Sequence, residues 1–384
     1  MSETTTWQLL FVDDDAEICE IIKEFLEGER IQESEIKVET LTEFKSAMNE
    51  LEKRRYDLII LDVKLQQHNE KIEDNQAGIN TLNEIRQRRF IPVIFYTGLP
   101  HLVNHLEDNL IKVVTKGPET ENLMIAVNDI FATRLPVINR AIIRHVESIQ
   151  RDYMWDFVLK HWEQFQELSD GTELAYLLAR RLALSLSGPE IQQFSRELGG
   201  ELGTSMPENK VHPVEYYVMP PINASPLTGD LYCKQNGDVT DYWILLTPSC
   251  DLVKGREKAD HVLMAHCDLL SVQEEYEEWK TSLPEPKKAV RKKLKHLLEN
   301  SPNPRQQDRF QFLPGAFILP DLLVDFQQIR TVTPEKLDEM ERVASLYSPF
   351  AEALLSRFVR YFGRLGTPDL DIDCVCEKLR RGCD

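Results

Sequence analysis

Five polar residues close four apolar runs in this chain. Asp13 and Asp14 follow Leu9-Leu10-Phe11-Val12, and Asp62 follows Leu58-Ile59-Ile60-Leu61. Thr97 follows Val93-Ile94-Phe95-Tyr96, and Lys116 follows Val113-Val114-Thr115. Apolar runs without alternation read as strands buried on both faces of a parallel sheet. Parallel strands deliver whatever follows them to one edge, where open α/β sheets bind ligands. Three carboxylates, a hydroxyl and an amine gathered there make one charged cluster, the makings of an active site.

Those strands need helices between them, and the sequence supplies them. Strand 7–13 precedes a helical pattern over 15–28, with Ile18, Ile21, Ile22, Phe25 and Leu26 at helical spacing. Strand 36–41 precedes a helix from Thr42 to about Arg54, and strand 56–62 one near Ile79–Arg86. Strand 91–97 precedes a short helix near 101–109, and strand 111–116 a helix over about 120–133. Such βα units with right-handed crossovers predict an α/β doubly wound, flavodoxin-like domain of five parallel strands over residues 1–134.

Asp13-Asp14, Asp62, Thr97 and Lys116, each on its own strand and in that order, resemble the receiver domain of bacterial response regulators. The resemblance covers about residues 7–133. It implies that Asp62 accepts a phosphoryl group from a partner histidine kinase with Mg2+ present. Asp14 and Asp62 would bind the ion directly, Asp13 through water, and the carbonyl of Lys64 would complete the set. Lys116 would neutralise developing charge. The Thr97 hydroxyl would donate to the phosphoryl group and couple chemistry to shape. Lys64 would also tune hydrolysis of the acyl phosphate, and Gly98 would leave the pocket mouth open to a donor.

Three departures from the receiver pattern stand out. An aromatic residue is usual where this chain has Val113, and proline usually follows the lysine directly, whereas here the order is Lys116-Gly117-Pro118. The stretch from Asp62 to Gly78 is long, with a polar excess over Gln66–Asn75. It would serve as a lid, a docking loop or a solvated insertion.

The bulk numbers set outer limits. With 384 residues the chain has room for two or three domains, and 42% hydrophobic with 28% charged residues is ordinary for a soluble protein. A net charge of −19 disfavours a nucleic-acid-gripping surface. No signal peptide, no membrane span and seven scattered cysteines without Cys-x-x-Cys lead us to expect a reduced, cytoplasmic protein.

Beyond the first domain the text changes. Residues 135–200 read as a helical connector. Ile138, Ile142, Val146, Ile149, Tyr153 and Phe157 form one apolar stripe that suits either a packed hairpin or a dimerising coiled coil, hence a homodimer. Pro136 should end or kink the preceding helix. His145 reads as a packed helix histidine. Residues 211–384 read as an α+β domain with a small, partly antiparallel sheet and a last helix, Pro349 to Arg364, presenting Phe350, Leu354, Phe358 and Phe362 on one face. Arg309-Phe310-Gln311-Phe312-Leu313-Pro314 and the text from Ser348-Pro349-Phe350 to Thr367-Pro368 are similar to uncharacterised domains attached to receivers in bacterial defence operons, the Detocs-type phage-defence context among them.

The expected role is therefore a phosphorylatable signalling protein, itself no enzyme. Its output would be protein contact, with an effector of the same operon as a candidate partner, or service as a phosphate sink. Two alternatives remain: a transcription regulator, or an enzyme switched by the receiver and built from Cys250, Asp251, His266, Arg309 and Asp325. Cys233, Cys250, His266 and Cys267 would make a metal site only if the fold gathers them. The basic run Lys287–Lys295, after Glu274–Glu278, reads as a solvated helix with internal ion pairs.

Overall fold

Apolar strands buried on both faces dominate the first half of the chain. The computed structural model describes residues 6–31, 34–63, 77–163, 172–186, 194–195, 198–199, 210–237, 239–299, 308–364 and 370–381. Its strands are β1 (Trp7–Val12), β2 (Arg30–Ile31), β3 (Ser34–Leu41), β4 (Leu58–Leu61), β5 (Val93–Thr97) and β6 (Ile111–Thr115). They hydrogen-bond in the order β2-β3-β1-β4-β5-β6. All neighbours are parallel except β2, which turns back antiparallel on β3. The five expected parallel strands are thus present in flavodoxin order, but the sheet has six strands. The extra one is too short to leave a periodic signal. Gly28, at φ +83°, makes the turn into it.

The continuous apolar runs have a direct structural cause. Leu9 and Phe11 face one way, with Ile22, Ala126 and Val127. Leu10 and Val12 face the other, with Ala47, Leu51, Leu82 and Ile85. The helices supplying those residues are α1 (Ala16–Leu26), α2 (Phe44–Lys53), α3 (Ala77–Arg88) and α4 (Glu121–Ala132). The helix expected near 101–109 is instead two single 3-10 turns, Pro100–Leu102 and Asn104–Leu106.

Arg134 adopts φ 63°, and Pro136 enters the first turn of α5 (Leu135–Tyr153), so the chain turns between two helices as its proline requires. Val137 joins the core of the sheet's α1/α4 face. The stripe does not run on as one helix, because a π turn at Met154–Val158 and a 3-10 turn at Leu159–His161 change the pitch. Ile142 and Phe157 are left exposed. Helix α6 (Thr172–Ser185) meets α5, where His145 Nε2 lies 3.3 Å from the Ser185 carbonyl, a packed histidine.

The chain divides into two units, Met1–Glu208 and Asn209–Asp384. The second holds β7 (Tyr217–Val218), β8 (Asp230–Asn236), β9 (Val239–Leu245), β10 (Val262–Leu269), β11 (Phe310–Leu313), β12 (Leu322–Val332) and β13 (Glu341–Leu346). They form one seven-stranded sheet, β11-β12-β10-β9-β8-β13-β7. Every pairing is antiparallel, so the sheet is larger and more uniform than expected. Strand β13 escapes sequence reading because its register shifts between Arg342 and Ala344, which breaks the alternation.

The acidic and basic runs form two helices, α7 (Glu274–Thr281) and α8 (Lys288–Leu298), and Lys293 pairs across to Glu278 at 2.9 Å rather than within its own helix. Two further helices, α9 (Pro334–Asp338) and α10 (Phe350–Phe362), precede the last, α11 (Ile372–Arg381). Helix α10 buries Leu354, Phe358 and Tyr361 on the sheet. Phe362 is 60% exposed, so the expected face is corrected by one spoke. Gly229, at φ +87°, lets this helix approach closely, since a Cβ there would come within 3.1 Å of the Cβ atoms of Ala351 and Leu346.

Candidate functional site

The ladder hydrogen bonds of the parallel sheet run past the strand ends and fix the polar residues there. Asp13 N–H donates to the Leu41 carbonyl, Asp62 N–H to that of Val12, and Lys116 N–H to that of Thr97. Asp13 and Asp62 thereby flank the gap where strand order reverses, β1 against β4.

Asp13 and Asp62 are buried while Asp14 is exposed, and one ligand oxygen from each lies within 4.8 Å of the others. Lys116 Nζ sits 2.6 Å from Asp13 Oδ2 and 3.1 Å from Asp62 Oδ1. The first contact is an ion pair without good hydrogen-bond alignment, so Asp13 Oδ2 stays a buried acceptor short of a donor. Burial pushes the Asp13 carboxyl above its ordinary range, against the pull of Lys116 and of the Asp15 N–H. Burial also opposes charge on Lys116, yet its contacts with Asp13 and Asp62 outweigh this and hold the ammonium above its ordinary range. The buried pair Asp13 and Asp62 shares the Lys116 ammonium, two carboxylates on one cation. An under-satisfied buried oxygen within a set of hard oxygen donors fits a divalent cation. Among the described residues, these three acids are the group able to hold a metal ion.

Thr97 is fully buried; its hydroxyl donates to the Val63 carbonyl at 3.3 Å and accepts from Leu99 N–H at 3.1 Å. The hydroxyl therefore touches the residue next to Asp62. Val113 pairs with Phe95 and is half-buried. A Cβ on Gly98 would meet no atom within 4 Å, in keeping with an open mouth. Lys64 and the polar stretch Gln66–Asn75 lie outside the described residues.

Sequence reasoning missed two supports. Asp15 caps α1, accepting from Glu17 N–H and Ile18 N–H, while its own N–H is held by Asp13 Oδ1. Its signal was available: an aspartate directly before a helical pattern is a favoured cap. Cys19 lies beneath the site, its thiol donating to the Asp13 carbonyl; burial, reinforced by the Asp13 charge, pushes it up to about 11. No sequence signal marks that contact.

A family model for the response regulator receiver domain matches residues 9–128. This part of the chain is a receiver domain. The sequence resemblance and the site geometry meet in it. No curated protein matches the chain. Solved structures with likeness to the chain include the response regulator protein TrrA of Thermotoga maritima in complex with Mg2+-BeF. It is 24% identical over 33% of this chain and 99% of that one, with a TM-score of 0.26. The histidine kinase ThkA in complex with TrrA gives 23% identity over 33% of this chain and 98% of that one, with a TM-score of 0.25. The chemotaxis response regulator CheY4 of Vibrio cholerae gives 20% identity over 33% and 99%, with a TM-score of 0.25.

The residues set aside for the C-terminal unit are not one cluster. Arg309 holds buried Asp325 with two hydrogen bonds, of 2.9 and 2.7 Å. His266 is opposite Asp325 in the ladder, beside a bulge, with Nδ1 3.0 Å from Asp268. Cys250 is exposed on a separate turn, Ser249–Asp251, its sulfur 3.5 Å from Asp251. Cys233 faces Glu341, and Cys267 is buried in the core. The four-residue metal site from Cys233, Cys250, His266 and Cys267 is not formed among the described residues.

Proposed function

We propose that this chain is a response-regulator-like signalling protein. Asp62 accepts a phosphoryl group from a partner histidine kinase, with Mg2+ held by Asp13, Asp14 and Asp62. The observation carrying this reading is the cluster at the sheet edge: Asp13, Asp14 and Asp62 each bring an oxygen within 4.8 Å of the others, and Lys116 reaches both Asp13 and Asp62. The ion, when bound, supplies the positive charge that lets a carboxylate and a phosphoryl group meet. Asp62 attacks phosphorus as a carboxylate; an O–P bond forms as the P–N bond of the donor phosphohistidine breaks, and the imidazole leaves carrying a proton. Lys116, already 3.1 Å from Asp62, balances charge on the transferred group. Thr97 exchanges its bond to the Val63 carbonyl for one to a phosphoryl oxygen.

The C-terminal unit provides the output by protein contact or leaves the receiver as a phosphate sink, in the cytoplasm and without chemistry of its own. Internal pairing of its buried acids supports that reading. The likeness of its text to domains of Detocs-type operons favours an antiphage phosphorelay as the setting. A second reading, an enzyme switched by the receiver, rests on His266 at a bulge, its buried Nδ1 3.0 Å from Asp268 but without a hydrogen-bond partner among the described residues.

Incubation with labelled acetyl phosphate tests the phosphoacceptor. Labelling of the wild type only with Mg2+, and none of Asp62→Asn, is expected. Equal labelling of that variant overturns the assignment.

A further inference from the structure

A cavity of about 510 Å³ opens at the opposite rim of the receiver sheet. Its walls are the segments that enter β1, β4 and β5, and one side of α5. Four arginines line it, Arg55, Arg89, Arg140 and Arg144, against two acids, Asp57 and Glu147. The surplus of two positive charges stands out in a chain of net charge −19. Two of the arginines are engaged. Arg140 grips Asp57 through both guanidinium edges and lies 3.7 Å from the Trp7 ring centre, and Arg55 pairs with Glu147 at 3.0 Å.

The other two differ. Arg89 spends one N–H on the Arg54 carbonyl, and Arg144 makes no ion pair among the described residues. Guanidinium forks match phosphate oxygens in pairs. Beside them Phe90 is 47% exposed, next to half-buried Ile91 and Ile143. An exposed ring flanked by apolar side chains offers a stacking surface for a planar group. The volume suits a small molecule rather than a length of polymer.

We propose that this cavity binds a small phosphate-bearing ligand with a planar ring, of the nucleoside phosphate class. Its phosphate lies against Arg89 and Arg144, and its ring against Phe90. The site is separate from the phosphoacceptor: on the sheet side it lies where the chain enters β1, β4 and β5, whereas Asp13 and Asp62 follow the strands. A ligand there contacts α5 and the sheet together and would hold the helix to the receiver.

Calorimetric titration of the full chain with ATP, AMP and inorganic phosphate tests this. Running it in EDTA silences any cation at the carboxylate cluster. Saturable binding of a nucleotide is expected, weakened at least tenfold by Arg144→Glu and by Arg89→Ala. Phe90→Ala should weaken nucleotide binding while leaving that of inorganic phosphate within twofold. Arg144 is an exposed surface residue, so its variant keeps the test valid if Arg89→Ala fails to fold. No binding of any probe at millimolar concentration overturns the proposal. So does binding indifferent to Arg144→Glu, or binding of a 5′-phosphorylated oligonucleotide alone.

Discussion

The two sheets treat buried acids in opposite ways. In the antiparallel sheet, Asp230 is held by Arg342 at 3.2 Å, by the Ser345 hydroxyl at 2.6 Å and by Leu227 N–H at 2.8 Å. Asp325 is held by Arg309, Gln327 N–H and the Gln328 amide. In the parallel sheet, Asp13 and Asp62 divide the single ammonium of Lys116. A carboxylate supplied with its own cation and donors has nothing left to offer a ligand. One left short is poised to take a cation from outside. Burial alone therefore does not mark a functional acid; incomplete compensation does.

Breaking the functional side should have the largest effect. Asp62→Asn should abolish phosphate incorporation from a small donor, read as loss of label, while the fold measured by circular dichroism persists. Next comes the structural side. Arg342→Ala strands a fully buried carboxylate and should cost about 3–5 kcal/mol in urea denaturation. Asp230→Asn, which removes the charge as well, should cost distinctly less. Equal losses would mean that Arg342 acts by packing.

Lys116→Ala sharpens the contrast. In chelator it should cost about 2 kcal/mol, because a charged contact is lost and two acids face each other. Added Mg2+ should restore stability by mass action, about 2.7 kcal/mol at a hundredfold excess over the dissociation constant. The same addition should leave Arg342→Ala unrescued.

The smallest effect is a pH profile. Burial opposes ionisation of Asp325, but Arg309, Gln327 N–H and Gln328 together outweigh it and hold the carboxyl below its ordinary range. A depressed carboxyl contributes stability above its unfolded pKa and loses it as pH falls through the folded one. Wild type should therefore lose stability more steeply than Asp325→Asn below about pH 4, the ordinary range of an aspartate. Parallel acid curves would contradict this.

How much of this is legible in sequence follows from the spacing of partners. Leu9–Val12 and Leu58–Leu61 announce doubly buried strands on their own, and a polar residue just past such a strand has one place to go. Hence Asp13, Asp62, Thr97 and Lys116 can be set at one edge before any coordinates. What escapes is contact between backbone and side chain, such as Thr97 on the Val63 carbonyl, and strands as short as Arg30–Ile31. The antiparallel sheet hides more. Asp230 and Arg342 are 112 positions apart, and nothing local at either end names the other. His266, Asp325 and Arg309 looked like candidates for chemistry because their types are reactive; the bidentate pair of 2.9 and 2.7 Å places two of them in the scaffold.

Each sheet ends, on one rim, in a strand of two residues: Arg30–Ile31 in the first and Tyr217–Val218 in the second. Each covers only two residues of the strand behind it, Ser34 and Glu35 of β3 and Ser345 and Leu346 of β13, so the rest of each longer strand forms the rim. Strand-to-strand association would therefore start on the uncovered lengths of β3 and β13, and a charged substitution there is the way to block it.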